Sequence, residues 1–167
     1  MIEIRPIEIS DAEKFAVLQR ELAKETKFMM RELEECTMEA EHAKQMIENV
    51  RKSNNFLFVA EVEGEIVGFA SASKGAHNRI RHCAYIVTGI RSDYQGQGIG
   101  GQFFSELDKW ATDEKLRRFE LTVMTHNLRA KSLYEKNGFV IEGIKRDSMC
   151  VDGEYVDEYY MGKILEY

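Results

Sequence analysis

The run Gln95-Gly-Gln-Gly-Ile-Gly-Gly101 is the segment whose residue types and spacing point most directly to chemistry. It falls between an expected strand and an expected helix. Glycines there let the main chain approach a ligand closely and turn several N–H groups to one side. The helix that follows adds the positive end of its dipole, so the place suits a phosphate or diphosphate. A tight turn that holds nothing is the plainer alternative. Gly96-x-Gly98-x-x-Gly101 also fits the dinucleotide-binding fingerprint, with Glu120 about twenty positions on, where a ribose ligand belongs. Three features oppose that fingerprint. The motif follows a long strand and a hairpin and does not open a first β-α-β unit. Glu120 begins its strand, whereas a ribose ligand belongs at the carboxyl end. Only about 65 residues remain, too few for the rest of a doubly wound sheet. The phosphate-loop pattern GxxxxGK[ST] is absent.

The elements that must position this run can be read from periodicity. Ile2 to Ile9 alternates as a strand, and Pro6 marks it as an edge or bent one. Ser10-Asp-Ala-Glu13 reads as a capping box opening a helix to about Thr26, with Phe15, Leu18 and Leu22 on one face. A second helix runs from Thr37 to roughly Lys52 and breaks at Asn54-Asn55. FLFVAEV, EGE and IVGFASAS form strand, tight turn and strand. Residues 79–91 read as a longer strand. After the glycines comes a helix bearing Phe103, Leu107, Trp110 and Ala111 on one face, then a buried strand from Phe119 to Thr125. Asn127 caps a short helix that stops at Asn137-Gly138. FVIEGIKR and EYVDEYYMGKIL are final strands joined through Val151-Asp152-Gly153. The order β-α-α-β-β-β-α-β-α-β-β predicts a mixed α/β domain: one mixed, mainly antiparallel sheet flanked by helices. Residues 1–167 read as a single domain, without repeats or linkers.

Composition bounds the function. With 44% hydrophobic and 31% charged residues the chain resembles soluble globular proteins. It has no run of about 18 apolar residues for a membrane span, and its amino terminus lacks a signal-peptide pattern. A cytoplasmic location without membrane association is expected. The net charge of −6 argues against nucleic acid as a partner. Cys36, Cys83 and Cys150 are odd in number and scattered, and His77 with His82 has a loose spacing, so neither disulfides nor a metal is expected. Cys83 reads as a small hydrophobe.

Two blocks carry a resemblance. Ile90 to Gly101, IRSDYQGQGIGG, resembles the acetyl-CoA-binding motif of the GNAT superfamily of N-acetyltransferases, (Arg/Gln)-x-x-Gly-x-(Gly/Ala), with Gln95, Gly98 and Gly100 at its positions. Asn127 to Phe139, NLRAKSLYEKNGF, is similar to that family's downstream signature in sequence and distance. The likeness covers roughly residues 56–163. Ser92 departs from the proline found in many relatives.

The resemblance implies a GNAT-like fold and acetyl transfer from acetyl-CoA to a primary amine by direct attack, with no metal. It implies that the backbone at Thr88, Gly89 and Ile90 pairs with the pantetheine arm, whose amides satisfy a strand edge. It further implies that Gln95, Gly96, Gln97, Gly98, Ile99, Gly100 and Gly101 hold the diphosphate through N–H groups, and that Asn127 hydrogen-bonds the cofactor as well as capping its helix. Tyr134 matches the tyrosine that protonates the departing CoA thiolate. A thiol near ~8.5 and a phenol near ~10 are close enough in pKa for efficient proton sharing. A core tyrosine packed on Leu133 and Ala130 is the plainer account. The general base stays open among His82, Glu120 and Tyr85. Arg91, Arg129 and Lys131 could meet the 3′-phosphate of CoA or be solvated surface charge.

Residues 1–50 carry 12 acidic and 7 basic side chains. Glu21, Glu25, Glu32, Glu34, Glu35, Glu39 and Glu41 could line a site for a cationic amine, although a solvated helical face explains them too. The tail resembles the branch containing ribosomal-protein N-terminal and polyamine acetyltransferases. The acceptor is therefore a small-molecule amine or a protein N-terminus, and a homodimer is compatible with the family. A non-catalytic acetyl-CoA-binding sensor or scaffold is the alternative function; it would need no acid at position 134.

Overall fold

The computed structural model describes residues 1–166, which form two compact units. The first comprises Met1–Ser73 and Val87–Leu107. Strand β1 (Ile2–Pro6) pairs antiparallel with β2 (Phe56–Val62), Ile2 opposite Val62 and Pro6 opposite Phe58. As its proline predicts, β1 ends the sheet order and so is an edge strand. β2 turns into β3 (Glu65–Lys74) through Glu63 and Gly64, both with left-handed φ, 52° and 85°. Two such residues match the twist of the strands they join. Helix α1 (Ala12–Glu25) buries Phe15, Leu18 and Leu22, the face its periodicity predicts. Together with Ala43 and Ile47 of helix α2 (Ala40–Ser53), Val59 and Phe69, they form the core of this unit. The Phe15 and Phe69 rings meet edge to face at 5.6 Å.

The helix entrance differs from the sequence pattern. Ser10 does not cap; a short 3-10 turn, Ile9–Asp11, precedes α1 and moves the capping box to Glu8 and Asp11. The Glu8 N–H donates to Asp11 Oδ2 at 2.8 Å. Asp11 wins because it also accepts both Arg5 Nη atoms, at 2.7 and 2.9 Å, while Arg5 reaches Glu61 on the neighbouring strand. Asp11 is 4% exposed. The Arg5 hydrogen bonds, aided by the Glu8 N–H, outweigh burial and hold its carboxyl below the usual aspartate range. A depressed folded pKa means that the stabilisation is present above the unfolded value, near ~4, and is lost as pH falls through the folded one. Asp11→Ala should cost roughly 3 kcal/mol, the low end for breaking a buried pair, because Arg5 keeps Glu61. Urea unfolding at several pH values checks this: the deficit should be full at pH 7 and shrink on acidification.

The second unit comprises Lys74–Ile86 and the chain from Asp108 onward. Strand β4 (Cys83–Ile90) starts here and runs parallel to β5 (Arg118–Met124), Cys83 opposite Arg118 and Tyr85 opposite Glu120. The sequence pattern predicts this strand from Arg79, but Asn78–Ile80 is a 3-10 turn. The Gly75 N–H donates to the Cys83 carbonyl, and a Cβ on Gly75 would lie 2.2 Å from the Ile80 carbonyl oxygen. The chain thus folds back on Gly75, and residues 79–82 cannot extend. β5 pairs antiparallel with β7 (Glu154–Ile164), which pairs on its other side with β6 (Val140–Val151). β6 extends beyond the predicted Arg146. Asp147 takes a left-handed φ of 47°, and the register shift between Lys145 and Met149 absorbs the extra residues. Helix α3 (Ile99–Asp113) begins in the first unit and ends in this one, which also holds α4 (Leu128–Lys136). Phe119 and Phe139 stack at 6.5 Å in its core.

Among the described residues the sheet has seven strands in the order β1-β2-β3-β4-β5-β7-β6. With four α-helices among the described residues and both parallel and antiparallel pairs, this is the mixed α/β architecture that the element order predicts.

Candidate active site

The glycine run sits where β4 gives way to α3. Gly89, the seventh residue of β4, is packed: a Cβ there would come within 2.8 Å of Leu22 Cδ1 and of Phe69 Cε1. Gly68 on β3 would meet the Gly89 carbonyl at 3.1 Å. Beyond Ile90, the Arg91 N–H still donates to the Val67 carbonyl at 2.9 Å. A 3-10 turn, Ser92–Tyr94, then leads to Gln95, whose side chain donates back to the Ile90 carbonyl at 2.9 Å. Gln97 similarly donates to the Asp93 carbonyl at 3.0 Å. Both glutamines brace the bend with their side chains.

Gly96 and Gly98 have φ of 76° and 83°, a region that L-residues reach only with strain. A Cβ on Gly96, Gly98 or Gly101 would meet nothing within 4 Å, so open space lies in front of all three. Ile99, 1% exposed, anchors the bend in the core, and the Gln102 N–H closes the first helical turn onto the Gly98 carbonyl at 3.2 Å. The first N–H groups of any helix lack partners within it. The result is left-handed glycines, a helix start and free space together, which suits an anionic group.

The flanking Arg91 is engaged elsewhere. Its Nε donates to Glu25 Oε1 at 3.1 Å, and Glu25 Oε2 accepts the Ser92 N–H at 2.8 Å. Burial would raise the Glu25 carboxyl, but the Ser92 N–H and the Arg91 guanidinium outweigh it and hold it low. Lys131 pairs with Glu135 at 2.8 Å. The acidic run of the first helices is mostly occupied too. Glu21 pairs with Lys24, and Glu32 and Glu35 form a capping box, whereas Glu39 stands at the N-cap of α2 without a side-chain cap bond.

In the second unit, Asn127 is the N-cap of α4, its Oδ1 accepting the Ala130 N–H at 3.3 Å. Tyr134 lies on the same helix and is 7% exposed. Its ring packs against Phe139 at 5.9 Å, and its carbonyl accepts the Phe139 N–H at 3.1 Å. Phe139 is the partner that the sequence pattern does not reveal.

Two of the three base candidates come together. Tyr85 and Glu120 line a cleft of about 310 Å³ with Arg118, Leu121, Thr122, Glu142, Tyr160 and Met161. The Tyr85 hydroxyl is 2.8 Å from Thr122 Oγ1. Arg118 Nε donates to Glu120 Oε2 at 2.9 Å, and its Nη1 donates to Glu142 Oε1 at 2.8 Å. A Cβ on Gly162 would lie 2.6 Å from Glu142 Oε1 and 2.7 Å from Arg118 Nη1, so this glycine makes room for the pair. His82 is not on the strand; it is exposed and precedes β4, its carbonyl accepting from Arg117 and Arg118 N–H groups. Half-buried Cys83 has its thiol pushed up by burial, then by Glu120, in keeping with a packed rather than a reactive cysteine. The Arg118, Thr122 and Glu142 lining is not legible in the sequence, except that Thr122 shares strand parity with Glu120.

The chain is similar in sequence and fold to known proteins. An L-amino acid N-acetyltransferase of Escherichia coli (strain K12) is 32% identical over 110 residues, 64% of this chain and 66% of that enzyme, just under two thirds of its length. An acetyltransferase of the GNAT family from Streptococcus pneumoniae superposes with a TM-score of 0.94 at 28% identity, over 99% of this chain and 100% of that one. A putative acetyltransferase from Salmonella typhimurium, solved with its cofactor acetyl-CoA, shares the fold. It has a TM-score of 0.88 at 16% identity over 99% of this chain and 94% of its own. Residues 20–139 match the acetyltransferase (GNAT) family, which spans most of the chain and includes both the glycine run and α4. The chain belongs to the acetyltransferase (GNAT) family and is an enzyme of that family.

Proposed function

We propose that residues 1–167 act as one catalytic domain that transfers an acetyl group from acetyl-CoA to a primary amine. The observation that carries this is the bend at Gly96 and Gly98, left-handed and open in front, immediately before the start of α3. In this reading the N–H groups of residues 95–101 hold the CoA diphosphate, Thr88 to Ile90 run beside the pantetheine arm, and Asn127 adds a hydrogen bond. Acetyl-CoA supplies the activated acyl group. The amine nitrogen attacks the thioester carbonyl, the C–S bond breaks, and the Tyr134 hydroxyl gives its proton to the departing thiolate.

An alkylammonium must lose a proton before it attacks, a deficit of roughly 4–5 kcal/mol at neutral pH. We assign that proton to Glu120. Its Oε2 is held by Arg118, and its Oε1 has no partner among the described residues. It is 43% exposed, within reach of water from the cleft. Glu120→Gln should lower kcat/KM about 10²-fold and leave acetyl-CoA binding unchanged. An unchanged kcat/KM would return the role to His82 or Tyr85. The protein is expected to work in the cytoplasm on a small amine or a protein N-terminus.

The direct test is thiol release from acetyl-CoA with L-amino acids, polyamines, aminoglycosides and N-terminal peptides. At least one class should accelerate release well above hydrolysis. No acceleration by any class, with acetyl-CoA still bound, would favour a sensor or scaffold.

A further inference from the structure

The proposed CoA bend is tied to the far end of α1 by a contact that the reaction itself does not use. Glu25 is the last residue of α1. It lies 66 residues before Arg91 in the chain, yet it meets Arg91 Nε at 3.1 Å and the Ser92 N–H at 2.8 Å. These two residues open the 3-10 turn that delivers the chain to Gln95.

The placement follows from packing. Leu22 stands one helical turn before Glu25 and lies over Gly89, where any Cβ would collide with it at 2.8 Å. One turn of helix advances about 5 Å and two strand residues about 6.6 Å. With Leu22 seated on Gly89, Glu25 three residues on is in reach of Arg91 and Ser92, two and three residues on. Gly89 fixes the distance, and Glu25 uses it.

The Ser92 N–H is the first donor of its 3-10 turn, and a carboxylate is a strong acceptor for such a group. Charge neutralisation of Arg91 has a second effect. It holds the guanidinium against the last residue of α1. The side chain of Glu25 is 19% exposed, so water competes weakly for these bonds.

We propose that Glu25 is a positioning residue for acetyl-CoA: it fixes the turn that aims the N–H groups of residues 96–101. This rests on the reading of that bend as the CoA site. In this reading both carboxylate oxygens of Glu25 are spent on Arg91 and Ser92, so its loss should be felt in one substrate only.

The test is steady-state kinetics with both substrates varied, together with calorimetric binding of acetyl-CoA. Glu25→Ala should raise the acetyl-CoA KM and Kd about tenfold, the scale of one charge-assisted hydrogen bond. The acceptor KM and kcat should stay within about twofold. Glu25→Gln keeps an oxygen for Ser92 but loses the charge, and Arg91→Met keeps the Ser92 bond but loses the ion pair. Each should show a smaller rise, about threefold. These two variants also stand in if Glu25→Ala fails to fold. Unchanged acetyl-CoA KM in folded Glu25→Ala, or in both milder variants, would overturn the proposal. Equal rises in both KM values would do the same, since that is what a general loosening gives. If the wild-type protein itself bound no acetyl-CoA, the CoA reading would fail first, before the role of Glu25 came into question.

Discussion

Tyr134→Phe should bind acetyl-CoA as the wild type does and turn over about 10²–10³-fold more slowly, the range that loss of a general acid produces. The substitution keeps the ring that packs against Phe139 at 5.9 Å, together with the backbone bond from Phe139 N–H to the Tyr134 carbonyl. α4 and its cap at Asn127 should therefore stand. What disappears is one hydroxyl on a side chain that is almost wholly enclosed. If Tyr134 were only a core residue, removing the hydroxyl would alter stability slightly and leave turnover alone. If the hydroxyl protonates the thiolate, kcat and kcat/KM for the amine fall together while the acetyl-CoA Kd is unmoved. A leaving group less basic than CoA would then recover part of the lost rate. Full activity in a folded Tyr134→Phe protein would remove the acid and reopen the non-catalytic alternative.

The second large effect is expected at the bend. Gly98 has φ of 83°, and a β-branched residue there costs about 1–2 kcal/mol in backbone strain alone. A valine side chain would also project into the open space that the diphosphate is proposed to fill. Strain and obstruction act in the same direction. Gly98→Val should weaken acetyl-CoA binding more than about 100-fold, about 2.7 kcal/mol, of which strain supplies roughly half. Gly143→Ala on β6 is the matching control. Its added carbon meets only Tyr160 Cδ2 at 3.9 Å, an ordinary contact, so CoA binding should be unaffected.

The contrast between these residues shows what a chain reveals of itself. Gly96 and Gly98 are legible because a local backbone demand selects glycine, and a local demand leaves a local spacing. Phe15, Leu18 and Leu22 are legible for the same reason: a helix face repeats at a fixed interval. The partner of Glu25 is not, because 66 residues separate it from Arg91 and no periodicity joins them. Among seven glutamates of similar appearance, tertiary contact alone distinguishes this one. The Arg118–Glu142 pair and the glycine beneath it at 162 are hidden in the same way, since β7 lies between β5 and β6 only in space.

Local reading also fails where two local signals compete. Ser10 fits a capping box, but Asp11 has Arg5 to satisfy as well, and the box moves to Glu8. Residues 79–82 have strand-like composition, but the close approach at Gly75 bends them into a turn, leaving His82 outside the strand it is expected to share with Tyr85.

The claim on which the functional account rests is that the bend from Gln95 to Gly101 holds coenzyme A. Titrating CoA into the folded protein in a calorimeter measures this without any knowledge of the acceptor. Saturable heat with one site per chain is the predicted result, abolished in Gly98→Val and retained in Tyr134→Phe. Wild-type protein that is folded and gives no heat with either CoA or acetyl-CoA at millimolar concentration would contradict it.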